Sequence, residues 1–183
     1  MKRTAAFVQE HLKDDTARLI LNKAKWPGIN IDLAVSCIES RSKLKNKVQD
    51  WYSNPELIFP VRLSAEQCSS SATALYKARL AAEIAGEDMR LADLTGGLGV
   101  DSWYFAKFAS EVLYNEMQEA LCRAAEYNFK ELGTNNIIVS NLEIQPDSQK
   151  LEELLQKFDP DIVFIDPARR SETGKKVFLI EDC

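Results

Sequence analysis

The sequence predicts an α/β fold: a partial parallel sheet with flanking helices, preceded by a small helical N-terminal domain. Three observations carry this reading. From residue 89 onward, strand-like runs alternate with helical ones, a spacing that calls for right-handed crossovers between parallel strands. Two of those runs, 137–139 and 162–165, are apolar without a polar alternate, as strands covered on both faces are. Before residue 60 the chain reads as helix interrupted by turns.

In chain order, a first helix is expected over residues 14–25, closed by Trp26-Pro27-Gly28. A second is expected over 31–51. There Ala34, Ile38, Leu44 and Val48 share one stripe, but Arg41 and Lys45 fall inside it. Three explanations follow, in order of preference. Their stems lie flat while the charges reach water, or the helix breaks near Ser40, or this face meets an acidic partner. Asn54-Pro55 and Pro60 mark an extended connection. Ser64-Ala65-Glu66-Gln67 then reads as a capping box that opens one long helix to residue 85, closed by Gly86. Strands follow over 90–94, 111–115, 137–140 and 161–165. The helices between them cover 100–108, 117–132 and 148–158, with Gly133 as a natural end to the middle one. Domain boundaries are expected at 1–60 for the helical part and 61–183 for the sheet part.

The bulk numbers fit this picture and exclude several functions. The chain has 183 residues, 45% hydrophobic and 28% charged, an ordinary globular composition. No apolar run approaches the roughly 20 residues needed to cross a bilayer, and no signal-type stretch follows the basic start, so a cytoplasmic location is expected. Four cysteines (Cys37, Cys68, Cys122, Cys183) form no C-x-x-C pair, and His11 stands alone. A metal site and a histidine-dependent hydrolase are therefore not expected. The net charge of -5 is uneven. Residues 1–60 hold ten Lys/Arg against seven Asp/Glu; residues 61–183 hold thirteen against twenty-one. A basic front on an acidic body hints at a nucleic-acid-facing module.

The candidate functional residues fall at strand ends. Asp93-Leu94-Thr95-Gly96-Gly97-Leu98-Gly99 closes the first strand and opens a helix. Glycines there allow a sharp turn and a close ligand approach, and the helix start offers free N–H groups. A dinucleotide fingerprint would put its third glycine at Ser102, so it fits only in part. Asp93 tips the balance, because an acid there suits a cationic ligand's amino group and repels a pyrophosphate. Glu116 ends the second strand, where a carboxylate can accept both ribose hydroxyls of an adenosine group. Asn141 ends the third, where an amide can pair with an adenine edge. Asp166-Pro167 ends the fourth, and Arg169-Arg170 follows as a candidate phosphate clamp. On the helix from Ser64, Glu66, Ser70, Thr73 and Lys77 form one polar face expected to line the same pocket, opposite Ala65, Cys68, Ala72 and Leu75.

Together these positions resemble class I S-adenosylmethionine-dependent methyltransferases, over roughly residues 64–180. The resemblance implies a Rossmann-like fold and S-adenosylmethionine as cofactor. It implies that Asp93, Thr95, Gly96, Gly97 and Gly99 hold the methionine part, Glu116 the ribose and Asn141 the adenine. It implies that Asp166 and Pro167 stand beside the target atom. The family's nucleic-acid amino methylases carry an aromatic after Asp-Pro-Pro, where this chain has Ala168 and Arg169. Asp-Pro-Ala-Arg is closer to RNA uridine methyltransferases, which use a downstream cysteine; Cys183 is not obviously in that context. The stretch Gln67-Cys68-Ser69-Ser70 with Thr73 is similar to a bacterial group that continues into a THUMP-like RNA-binding domain. RNA, as tRNA or rRNA, is thus the expected partner. A binding module without catalysis, or a small-molecule or protein methyltransferase, remains the alternative. The family's sheet has seven strands and this sequence supplies four, with a short extended piece at 177–180. The chain is therefore expected to be a fragment whose uncovered edge invites a homodimer.

Overall fold

A computed structural model describes residues 1–86, 88–145 and 148–166. Pro167, Arg169, Arg170, Cys183 and the piece at 177–180 lie outside the described residues. Six helices precede the sheet among the described residues: α1 (Lys2–Glu10), α2 (Thr16–Leu21), α3 (Ile31–Leu44), α4 (Gln49–Ser53), α5 (Arg62–Gln67) and α6 (Ser71–Ala85). The strands and helices that follow are β1 (Arg90–Asp93), α7 (Val100–Phe105), β2 (Glu111–Asn115), α8 (Glu119–Glu131), β3 (Ile137–Ser140), α9 (Gln149–Phe158) and β4 (Ile162–Phe164).

All strand pairs are parallel, in the order β3-β2-β1-β4. The register lines up Ile138, Leu113, Ala92 and Val163 across the sheet. One face carries Leu91, Val112, Tyr114, Ile162 and Phe164 and packs with Trp103, Phe105, Ala74 and Ala78. The other carries Ala92, Leu94 and Leu113 and packs with Leu151, Leu154, Leu155 and Phe158. The two central strands are therefore buried on both sides. The outer two differ from the sequence expectation: Ile138 is 44% exposed and Val163 45%, because α9 reaches only the middle of its face. An apolar run alone does not distinguish a covered strand from one whose cover is incomplete.

Four helical expectations need correction. Residues 2–10 form α1, which buries Ala5, Phe7 and Val8; the polar residues between them hid the stripe. The stretch 31–51 divides into α3 and α4, and Arg41 is only 3% exposed. Its guanidinium does not reach water but donates to the carbonyls of Tyr52, Asn54, Pro55 and Leu57. The stretch 64–85 divides into α5 and α6. Ser64 caps nothing there, because α5 starts at Arg62. The break comes at Cys68, whose backbone is extended (ψ 158°), and Ser71 N–H donates to Lys47 O at 2.8 Å. Ser70 is the cap, accepting from Thr73 N at 3.2 Å. The buried face of α6 is accordingly Ala74, Ala78 and Ala81, with Ala72 exposed.

The helical front and the sheet share a core. Leu44, Val48, Trp51, Leu57 and Phe59 belong to the same buried cluster as Met89, Leu91 and Trp103. Asn128, fully buried on α8, accepts from Ile58 N and donates to Ile58 O, both at 2.8 Å.

Candidate active site

The parallel order brings the carboxyl ends of all four strands to one edge. The connections run outward from β1 in opposite directions, to β2 and β3 on one side and to β4 on the other. Ligands of open α/β sheets bind at such a switch point.

The turn after β1 is built around Tyr114 and Asn115 of β2. Gly96 N–H donates to Asn115 O at 2.8 Å, and the Tyr114 hydroxyl donates to Gly97 O at 2.7 Å. A Cβ on Gly96 would overlap the Tyr114 ring, and one on Gly99 would sit 2.8 Å from Phe129 Cζ. At these two positions the protein's own aromatic packing already leaves no room for a side chain. Gly97 differs. Its φ is +53°, and a Cβ there would meet nothing nearer than Thr95 O at 3.8 Å. The side-chain direction at Gly97 is therefore open, while its N–H and C=O are held by Glu116 and Tyr114.

Asp93 is 1% exposed. It accepts from Thr95 N at 3.1 Å and from Ser102 Oγ at 2.5 Å. Burial pushes its carboxyl up from the usual range to about 7, against the two hydrogen bonds. Ser102, where a dinucleotide loop would have glycine, is thus the partner of this acid. Glu116 is 8% exposed rather than solvated. One oxygen accepts from Gly97 N at 3.0 Å and the other from Gln118 N at 2.8 Å. Each carboxylate oxygen keeps a further lone pair for a ligand hydroxyl. Asn141 stands beside it, its amide donating to Glu116 O at 2.6 Å and Met117 O at 2.9 Å.

At the end of β4, Asp166 N–H donates to Thr95 Oγ1 at 2.7 Å, which ties the fourth strand end to the first. Lys77 reaches the same place from α6. Its ammonium donates to Ser69 Oγ (3.0 Å), Asp101 Oδ2 (3.3 Å) and Asp166 Oδ2 (3.4 Å), and it lies 4.8 Å from the Phe164 ring centroid. Thr73, expected beside it, instead pairs its hydroxyl with Ser70 at 2.9 Å within the start of α6 and is exposed.

The structure thus gathers Asp93, Thr95, Gly96, Gly97, Gly99, Glu116, Asn141, Lys77 and Asp166 along one sheet edge. Sequence reasoning missed Ser69, Asp101, Tyr114 and Asn115. Of these, Asp101 carried a signal, since an acid in the first turn of a helix is favoured by the helix dipole. Three carboxylates (Asp101, Glu116, Asp166), with Asp93 ionising only at about 7, stand here against the single ammonium of Lys77 among the described residues. That balance favours a ligand bearing positive charge and opposes a pyrophosphate. The open space over Gly97 and the carboxylate of Glu116 beside it leave room for a ligand that offers hydroxyl donors.

Known proteins agree with this fold. A crystal structure from Porphyromonas gingivalis W83, named provisionally as a methyltransferase, superposes with a TM-score of 0.74 at 29% identity over 92% of this chain. The match covers 41% of that protein, so this chain spans about two fifths of its length. An rRNA methylase from Streptococcus thermophilus matches at 22% identity and TM-score 0.33, over 36% of this chain and 39% of its own. The Escherichia coli protein yhhF, also provisionally a methyltransferase, matches at 22% and 0.41, over 56% and 54%. The last two overlaps are too partial to carry any argument. No protein-family model and no curated protein matches the chain. The fold is the Rossmann-like α/β fold of class I methyltransferases, with four parallel strands described.

Proposed function

We propose that this chain is the cofactor-binding part of a cytoplasmic S-adenosylmethionine-dependent methyltransferase that acts on RNA, either tRNA or rRNA. The observation that carries the reading is that the acids ending β1, β2 and β4 are all tied to one loop: Asp93 to Thr95 N, Glu116 to Gly97 N, and Asp166 through its own N–H to Thr95 Oγ1. In this reading the Gly97 loop and Thr95 hold the methionine part and Glu116 accepts the ribose hydroxyls. Asn141 contacts the adenine, and Asp93 sets the loop's shape and the local negative charge. The cofactor supplies a methyl group on a sulfonium, ready for in-line transfer. Asp166, 55% exposed in its side chain, accepts a proton or hydrogen bond from the target atom. By the resemblance, Pro167 belongs beside the target atom, and Arg169 and Arg170 are the candidates to bind RNA phosphate. A THUMP-like RNA-binding domain belongs to this reading through the resemblance at Gln67–Ser70 and Thr73 alone.

The test is calorimetry on the full-length protein with S-adenosylmethionine, and NAD as the comparison ligand. Saturable binding of the first alone, lost in Glu116→Ala, is the expected result; binding of NAD instead overturns the cofactor assignment. Transfer of a radiolabelled methyl group to bulk RNA, with binding that weakens steeply as salt rises, tests the substrate. Salt-independent RNA binding with no transfer overturns it.

A further inference from the structure

Lys77 belongs to α6, outside the strand-helix-strand repeat, yet its ammonium joins the α5–α6 connection, the first turn of α7 and the residue pair after β4. Ser69 Oγ, Asp101 Oδ2 and Asp166 Oδ2 lie at 3.0, 3.3 and 3.4 Å. Its side chain is 23% exposed and that of Asp101 15%, so the pair is shielded enough to be stronger than an ordinary surface ion pair. Ser69 closes the ring by donating to Asp101 Oδ2 at 2.9 Å. Asp166 is thereby held at two points. Thr95 fixes its backbone through Oγ1, and Lys77 fixes one oxygen of its carboxylate. The second oxygen has no protein partner among the described residues.

The start of α6 is itself braced. Ser71 N–H donates to Lys47 O at 2.8 Å, and Lys47 Nζ donates to Glu66 O at 2.7 Å. The helical front thus meets the start of α6, and α6 carries the ammonium that reaches Asp166 Oδ2.

We propose that Lys77 is a positioning residue for Asp166: it holds Oδ2 against Asp101 and presents Oδ1 to the target atom, without contacting the cofactor. The assignment rests on the methyltransferase reading above for its catalytic consequence, but the clamp itself can be scored without substrate. The experiment compares wild type, Lys77→Met and Lys77→Arg in the full-length protein. Three quantities are read: the S-adenosylmethionine Kd, methyl transfer to bulk RNA, and hydrogen exchange of the Asp166 amide by NMR.

The expected result for Lys77→Met is a cofactor Kd and RNA KM within about twofold of wild type. Its kcat falls about tenfold or more, since small misplacement of a reacting group costs rate rather than binding. Asp166 amide exchange quickens about tenfold while amides in α8 are unchanged. Lys77→Arg restores most of both. If Lys77→Met does not fold, Asp101→Asn removes the other half of the clamp and is expected to give the same pattern. A cofactor Kd that weakens in step with kcat overturns the proposal in favour of a cofactor contact, and unchanged kcat and exchange overturn it outright. Should the wild type transfer no methyl group to RNA, the substrate reading fails; unchanged Asp166 exchange in the variants still sinks the clamp, and faster exchange still supports it.

Discussion

At the residue scale, the acid after β1 is the most constrained group in the site. Asp93 gives up solvent for two hydrogen bonds, from Thr95 N and Ser102 Oγ, and burial still dominates, leaving its carboxyl at about 7. In an unfolded chain it titrates near 4. The folded state therefore binds the proton more tightly, so the stabilisation from protonated Asp93 is complete below about pH 4 and is lost as pH rises to about 7. A cationic ligand has the opposite preference and binds the ionised form better. S-adenosylmethionine affinity is expected to strengthen as pH rises from 6 to 8, by up to about tenfold, and Asp93→Asn to flatten that profile. Calorimetry across that range checks it, and a wild-type Kd independent of pH refutes the linkage. Glu116 was legible as an acid at a strand end. Its hold on Gly97 N was not, because that bond joins residues 19 apart through sheet pairing.

Among the elements, α3 shows how a charge inside an apolar stripe can be a structural device. Arg41 supplies donors to the Tyr52 carbonyl near the end of α4 and to the Asn54, Pro55 and Leu57 carbonyls of the segment that follows, which has no strand partner for them. The ring of Phe59 lies 5.1 Å from its guanidinium carbon. Removing those donors leaves buried acceptors unpaired, so Arg41→Met is expected to destabilise the fold by about 3 kcal/mol or more. Denaturant unfolding measures it, and a loss below about 1 kcal/mol would indicate that the carbonyls find water instead. The sequence showed the conflict between Arg41 and its stripe. It could not show the carbonyls, which come from residues 11 to 16 positions later. The division of 64–85 into α5 and α6 has the same origin. Ser64 and Gln67 have the right chemistry for a cap, but Ser71 N–H is claimed by Lys47 O from another part of the chain.

For the whole molecule, the helical front is part of the sheet's packing. Val48, Trp51, Leu57 and Phe59 are each fully buried in the cluster that covers Leu91 and Val112. The paired bonds between Asn128 and Ile58 fasten the connection at residues 57–59 to α8. A chain reduced to residues 61–183 therefore loses one wall of its core. It is expected to show helical circular dichroism without a cooperative thermal transition, whereas residues 1–183 unfold in one step. A sharp transition in the shorter chain would show that the sheet part folds alone. Among the described residues no helix is long and apolar enough to cross a membrane.

The sequence by itself determined the order of strands and helices from residue 89, the parallel sheet and the acids at the strand ends. Each of these rests on local chemistry: hydrophobic period, turn residues, and acids placed where a strand stops. Only the tertiary structure decided what those residues touch. It turned Gly96 and Gly99 into packing requirements of Tyr114 and Phe129, left the side-chain direction at Gly97 open, buried Arg41 among carbonyls, and carried Lys77 across to Asp166. These outcomes depend on groups that meet only when the chain is folded, and hydrophobic periodicity carries no information about such pairings.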